Sequence, residues 1–259
     1  MEEPVIITGG SSGIGRAIEA RLRSAGQKTL NLDIVSPAGN PESHIPCDLN
    51  EPDLIANAIN QLPDTLAGLI CVAGVGPIAD DPEKVVRINF LGTRCLTEAL
   101  LPRIRIGGGV TLVASSAGRD WTDNRQLVDE LISTTAFVEG LDWLSKHRAT
   151  WSAQAYKFSK QCLAAYTYHA AGKALSLGVR VNCINPGITE TRLSREFRDL
   201  IGHENYDRIT RLTGRPGQPE DLAGLAEFLT LGDATWINGV EITVDGGYHA
   251  GVIAGWHPE

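Results

Sequence analysis

Short runs of β-favouring apolar residues alternate along this chain with segments of helical period, and the alternation continues from end to end. Residues 5–8, 28–33, 44–47, 68–74, 109–115, 179–185 and 240–244 read as strands. Between them, apolar positions recur at helical spacing over 16–25, 53–61, 83–101, 152–171 and 220–231. The runs 68–74 and 109–115 are almost wholly apolar, as strands buried on both faces should be. Strand after helix after strand predicts an α/β fold with a doubly wound parallel sheet. Neither a linker nor an internal repeat divides residues 1–259, so a single domain is expected. Two stretches depart from the rhythm. Residues 119–150 carry helical spacing at Leu127, Leu131, Phe137, Leu141 and Leu144, and residues 188–218 read as an irregular polar segment with some helix.

Composition narrows the class. The chain is 42% hydrophobic and 21% charged, with no apolar run near the ~18 residues a membrane span needs. A net charge of −8 leaves no basic stripe to meet nucleic-acid phosphates. No secretory leader opens the sequence, and the first strand begins at once. Five scattered cysteines, mostly inside apolar runs, form no metal-spaced pair, so no metal is expected. Buried free thiols in a reducing compartment, the cytoplasm, follow.

The first strand ends in Gly9-Gly10-Ser11-Ser12-Gly13-Ile14-Gly15 and leads straight into a helix. Glycines there let the backbone approach a pyrophosphate, which sits on the positive helix N-terminus. The spacing is Gly-x-x-x-Gly-x-Gly, not the Gly-x-Gly-x-x-Gly of most dinucleotide folds. The second strand ends in Asp33, 18 residues after Gly15, placed to take the hydroxyls of an adenosine ribose and to repel a 2′-phosphate. Further on, Tyr156 and Lys160 lie four apart in a predicted helix and share one face. An ammonium beside a phenol favours the phenolate, which would lower the Tyr156 pKa and fit it for proton transfer near neutral pH.

These residues together resemble the short-chain dehydrogenase/reductase family over essentially the whole chain, which implies a Rossmann-type sheet. The matching pieces are Thr8-Gly9-x-x-x-Gly13-Ile14-Gly15, Asp48-Leu49, Asn89, Ser115, Tyr156-x-x-x-Lys160, Asn185-Pro186-Gly187 and Val244-Asp245-Gly246-Gly247. One departure is Cys71-Val72-Ala73-Gly74, where the family usually has two asparagines before Ala-Gly, so an amide that braces the sheet is missing. The resemblance implies that Tyr156 is the acid/base and that Lys160 binds the nicotinamide ribose and lowers the phenol pKa. It implies that Ser115 bonds the substrate oxygen and that Asn89 holds a water linking Lys160 to solvent. It places NAD against Gly9, Ser11, Ser12, Gly13, Ile14, Gly15, Asp33, Asp48, Leu49, Ala73, Gly74, Tyr156, Lys160, Pro186, Gly187, Ile188, Thr189 and Thr191.

Between Ser115 and Tyr156 lie 40 residues, where most of the family has far fewer. This long form resembles the branch of coniferyl-alcohol dehydrogenase and 3α-hydroxysteroid dehydrogenase/carbonyl reductase. The carrying stretches are 69–77, 139–144 and 236–239. The expected function is NAD-dependent interconversion of a hydrophobic, ring-bearing alcohol with its ketone or aldehyde. An aryl-allylic alcohol stands ahead of a 3-hydroxysteroid. Trp151, Leu193 and Phe197 are expected to wall the substrate, with Trp121 a further candidate in the insertion. A dinucleotide-sensing protein on the same fold is the rival class; such proteins usually lose the Tyr or the Lys, and this chain keeps both. The family implies a homodimer or homotetramer, paired through the last strand and the helix before it.

Overall fold

The alternation of the first strand decides the architecture. In β1 (Val5–Thr8) every residue is buried, with Ile6 in one apolar cluster and Val5 and Ile7 in another on the opposite face. A strand buried on both sides needs a layer of helices on each. In this computed structural model, which describes residues 3–37 and 39–257, the chain supplies both layers. Met1, Glu2, Ala38, Pro258 and Glu259 lie outside the described residues.

From β1 the chain runs through α1 (Gly13–Ser24), β2 (Thr29–Asp33), β3 (His44–Pro46), α2 (Pro52–Ile59) and β4 (Leu66–Cys71). Next come α3 (Pro82–Val86), a π-helical turn (Arg87–Gly92), α4 (Thr93–Leu100) and β5 (Ile104–Val113). The insertion forms α5 (Arg125–Ile132), α6 (Phe137–Lys146) and α7 (Arg148–Trp151). After it stand α8 (Ala155–Leu175), β6 (Arg180–Pro186), α9 (Ser194–Ile201), α10 (His203–Leu212), α11 (Pro219–Leu231), β7 (Glu241–Val244) and α12 (Tyr248–Ala254). Seven parallel strands stand in the order β3-β2-β1-β4-β5-β6-β7. The order reverses between β1 and β4, and a crevice at the carboxyl ends of the strands follows from that reversal.

One face packs α1 and α11 against Val5, Ile7, Ala67, Ile70 and Ile184. The other packs α2, α3, α4 and α8 against Ile6, Leu32, Leu69, Leu112 and Val181. The expected helix 83–101 is present but opens into the π-helical turn in its middle. The segment expected to be irregular, 188–218, holds two helices jointed at Gly202, whose φ is 83°. The insertion's apolar stripe is covered by its own chain: Val128, Leu131, Phe137 and Leu144 join the core cluster. Among the described residues, no helix is long and apolar enough to cross a membrane.

Arg94 of α4 pins that insertion. It is 2% exposed, and its guanidinium donates to Leu131 O at 3.2 Å, Thr134 O at 2.8 Å and Thr134 Oγ1 at 3.0 Å. It thereby supplies a charged donor to the carbonyls at and just past the end of α5, of which Leu131 O also accepts from Thr134 N and Oγ1. Arg94→Met keeps the aliphatic stem and removes the donors. Removing the charged donor from the part-buried Ile132 and Thr134 carbonyls should lower the unfolding free energy by about 2 kcal/mol, read by urea denaturation.

Candidate active site

The cofactor end of the cleft is built on the turn from β1 to α1. Gly9 has φ 74°, and a Cβ there would sit 2.9 Å from the backbone of Ala73, so the first loop and the end of β4 touch through bare backbone. Gly15 packs against the carbonyl of Gly9 and leaves no room for a side chain. Ser12 precedes α1 without capping it through its side chain, so the first N–H groups of the helix remain directed at the cleft. Such an end takes a pyrophosphate. Asp33 stands beside it, its Oδ2 accepting from Ser11 N at 3.0 Å and its Oδ1 from Val35 N at 3.0 Å. The side chains of Ile34 and Val35, which follow it, carry no charge to offset the repulsion of a 2′-phosphate. Thr8 Oγ1 accepts from both Val72 N and Ala73 N at 3.0 Å, and so braces the strand end where the usual asparagine is absent.

Across the cleft, α8 presents Tyr156 and Lys160 one turn apart, and the loop after β5 presents Ser115. Lys160 Nζ donates to Val113 O at 3.3 Å and lies 5.9 Å from the centre of the Tyr156 ring. Tyr156 is 8% and Lys160 6% exposed, and burial governs both. It pushes the phenol up to about 12, with a hydrogen bond to the Ser115 hydroxyl pulling the other way. It pulls the ammonium down to about 8. The expected lowering of the phenol by Lys160 is therefore not what the chain by itself produces: loss of water outweighs the hydrogen bond with Ser115. Ser115 Oγ also accepts from Ala117 N at 3.2 Å, which fixes the hydroxyl at the strand end.

A single cleft of about 980 Å³ brings together Gly9, Ser11, Ser12, Gly13, Ile14, Asp33, Asp48, Leu49, Ala73 and Gly74 with Ser115, Tyr156 and Lys160. Pro186, Gly187, Ile188, Thr189 and Thr191 line it from the end of β6, and Leu193 and Phe197 from the α9 region. The Phe197 ring meets the Tyr156 ring edge to face, centres 5.1 Å apart. Gly15 and Asn89 support the lining from behind. Asn89 is fully buried in the π-helical turn, where its Oδ1 accepts from Val75 N at 2.8 Å and its Nδ2 donates to Ser159 Oγ at 3.1 Å.

Trp151 corrects the sequence reading. It does not face the cleft: it is 2% exposed, its indole N–H donates to Leu144 O at 3.0 Å, and its ring lies over Phe158. The bend between α7 and α8 turns it into the core beneath the insertion. Trp121 likewise braces the insertion, donating to Glu241 Oε1 at 3.0 Å. In their place the cleft is walled by Tyr206 and Ile209 of α10 and Tyr248 of α12. Helical spacing of Tyr206, Ile209 and Thr213 was the available signal for the first two; α12 has none, because Gly246 and Gly247 precede it.

A parallel sheet that sets a glycine loop opposite a buried Tyr–Lys pair defines a dinucleotide-dependent oxidoreductase. The profile described as the NAD dependent epimerase/dehydratase family matches residues 5–162, and that described as Enoyl-(Acyl carrier protein) reductase matches residues 126–249. The coniferyl-alcohol dehydrogenase of Pseudomonas sp. (strain HR199 / DSM 7063) is 36% identical over 244 residues, covering 94% of this chain and 95% of that protein. The 3-alpha-hydroxysteroid dehydrogenase/carbonyl reductase of Comamonas testosteroni is 25% identical over 253 residues, 95% of this chain and 96% of the other. Among solved structures, the 3-alpha-hydroxysteroid dehydrogenase from Pseudomonas sp. B-0831 complexed with NADH superposes with a TM-score of 0.79 at 26% identity, covering 97% of this chain and 99% of that one. This chain belongs to the short-chain dehydrogenase/reductase family.

The buried lysine has a pH signature. Its folded pKa of about 8 lies below the ordinary value of 10.5, so unfolding takes up a proton between those limits and stability rises with pH across them. Tyr156 works in the opposite direction only above its ordinary value of 10. From pH 8 to 10 the unfolding free energy of the unaltered chain should therefore gain about 2 kcal/mol relative to Lys160→Met, measured by urea titration at each pH.

Proposed function

We propose that this chain is an NAD-dependent dehydrogenase interconverting a hydrophobic, ring-bearing alcohol and its carbonyl, with an aryl-allylic alcohol of the coniferyl type as the favoured substrate. The observation that carries the substrate class is the Phe197 ring set edge to face on Tyr156, with Leu193, Ile209, Tyr206 and Tyr248 on the same cleft. Aromatic and aliphatic walls of this kind suit a flat ring. The relative at 36% identity bears a name of this substrate class. A 3-hydroxysteroid is the second reading, favoured by the overlay on a steroid dehydrogenase.

The residues fit NAD: the helix N-terminus takes the pyrophosphate, Asp33 the adenosine ribose, Lys160 the nicotinamide ribose, and Ile188, Thr189 and Thr191 the carboxamide. NAD, when bound, supplies the nicotinamide carbon that accepts the hydride of the alcohol. Ser115 holds the substrate oxygen and Tyr156 takes its proton. Lys160, kept from water and 5.9 Å from the centre of the Tyr156 ring, would favour the phenolate form when it carries its charge. Asn89, whose amide accepts from Val75 N, would hold the water that links Lys160 to solvent as a proton relay. Phe197 and Leu193, on the segment jointed at Gly202, exclude water from the phenol.

Self-association through α11 and β7 gives a homodimer, or a homotetramer with a second interface. Supporting it, β7 is an edge strand and the Trp236 indole just before it is 98% exposed. Five free cysteines, four of them buried, accord with a cytoplasmic setting.

Tyr156→Phe should reduce alcohol oxidation by about 10³-fold while the NADH dissociation constant stays within about twofold of the unaltered chain. Substantial residual turnover, followed as NADH absorbance, would overturn the assignment. For the substrate, coniferyl alcohol, cinnamyl alcohol, a 3α-hydroxysteroid and cyclohexanol are compared. Phe197→Ala should raise KM for the aryl alcohols about tenfold and leave cyclohexanol nearly unaffected. A best substrate that is a polyol or hydroxy acid refutes the pocket reading.

A further inference from the structure

The strand β2 carries a polar face where an apolar one is the norm. Leu30 and Leu32 point into the core on one side of the sheet, while Thr29, Asn31 and Asp33 alternate with them on the side of α1. Thr29 bonds to Glu19 of α1, and Asp33 reaches the cleft. Asn31, between them, is wholly buried and does not line the cleft. A buried amide of this kind costs stability unless its donors and acceptor are matched. Both are matched, and on the same loop: Oδ1 accepts from Gly10 N at 2.8 Å, and Nδ2 donates to Ser11 Oγ at 2.9 Å. The approach is close enough that a Cβ on Gly10 would stand 2.7 Å from Asn31 Oδ1.

What Asn31 holds determines what Ser11 can do. The Ser11 hydroxyl has one proton, and it is donated to Val35 O; its lone pair is engaged by Asn31. The Ser11 N–H is donated to Asp33 Oδ2, which orients the carboxylate against its loop. Every hydrogen that Ser11 could offer to an anion at the ribose 2′ position is thus already in use. Each Asp33 oxygen accepts one backbone N–H and keeps further acceptor capacity, and the residue lines the cleft, so it can accept from two ribose hydroxyls. We propose that Asn31 is a positioning residue for cofactor choice: by clamping Gly10 and the Ser11 side chain it holds the Ser11 hydroxyl where its proton goes to Val35 O, an arrangement that accepts NAD and leaves no donor for the 2′-phosphate of NADP. This rests on the reading that the cleft takes NAD, and deepens it to a residue that touches no part of the nucleotide.

Equilibrium binding tests it without any substrate. NADH and NADPH are titrated into the unaltered chain, Asn31→Ala and Asp33→Ala, following nucleotide fluorescence, with a thermal melt of each protein. Asn31→Ala should raise the NADH dissociation constant about tenfold, the weight of one net hydrogen bond. The NADPH constant should rise far less, because a Ser11 side chain no longer held by the Asn31 amide can rotate off Val35 O and turn its hydroxyl proton to the phosphate. The NADPH-to-NADH ratio of constants therefore falls about fivefold, toward that of Asp33→Ala. Adding Ser11→Ala to Asn31→Ala should cancel the relative gain of NADPH. If Asn31→Ala does not fold, Asn31→Thr, suited to a strand and able to bond only one of the two partners, should give an intermediate shift in the same ratio. Equal weakening of both nucleotides, or an unchanged NADH constant in a protein that merely melts earlier, overturns the proposal. An unaltered chain that binds neither nucleotide overturns the NAD reading itself.

Discussion

A lysine ammonium kept almost wholly from water is the constraint around which the site is arranged. Lys160 donates to the carbonyl of Val113 and has Tyr156 one helical turn away, and neither partner carries a negative charge at neutral pH. A cation so placed is costly, and the fold tolerates it by fixing its surroundings through backbone. Gly118 lies directly on the Lys160 carbonyl, leaving no space for a side chain, and the Asn89 amide stands against Gly74 beside the ammonium. The strained element is therefore the lysine, and the tyrosine becomes useful through what is later placed beside it. That ordering differs from a simple picture in which an ammonium tunes a phenol by proximity alone.

The site was legible in the sequence where local geometry dictates neighbours. Tyr156 and Lys160 share a helix face whatever the rest of the chain does, and Gly9, Gly13 and Gly15 follow a strand and open a helix. Asp33 could be placed because strand period and parallel pairing carry β2 to the same edge as β1. Trp151 could not. Its distance along the chain from Tyr156 is short, yet the 3-10 turn Ser152–Gln154 breaks the helical register and rotates the indole into the core. Sequence proximity measures direction only while one element continues. Tyr248 was hidden for the reverse reason: it comes from the far end of the chain and meets α10 through its hydroxyl, 3.2 Å from Arg208.

The helical insertion is an extension of the core. Its apolar residues merge with the cluster formed by α4 and α8, and Arg94 ties the end of α5 to the framework through carbonyl oxygens. Periodicity announced that an apolar stripe existed, but an arginine in the first turn of α4 carried no signal that it would bind backbone rather than a carboxylate. Asn31 is a similar case. An asparagine in a strand reads as a weak β-former until its two partners on the glycine loop are seen.

The π-helical turn from Arg87 to Gly92 makes one stretch of the chain unusually sensitive to length. Such a turn accommodates a single residue more than the regular helix on either side. Losing one residue within it would let α3 and α4 join as an unbroken α-helix, which is a perfectly good helix on its own terms. It would also turn everything on one side by about 100° relative to the other. Either Val85 and Val86 or Leu96 and Leu100 would then leave the core, or Asn89 would swing away from the Val75 peptide. In this helix the count of residues is thus constrained more tightly than their chemistry: many substitutions can be repacked, while a one-residue deletion sets the core against the site.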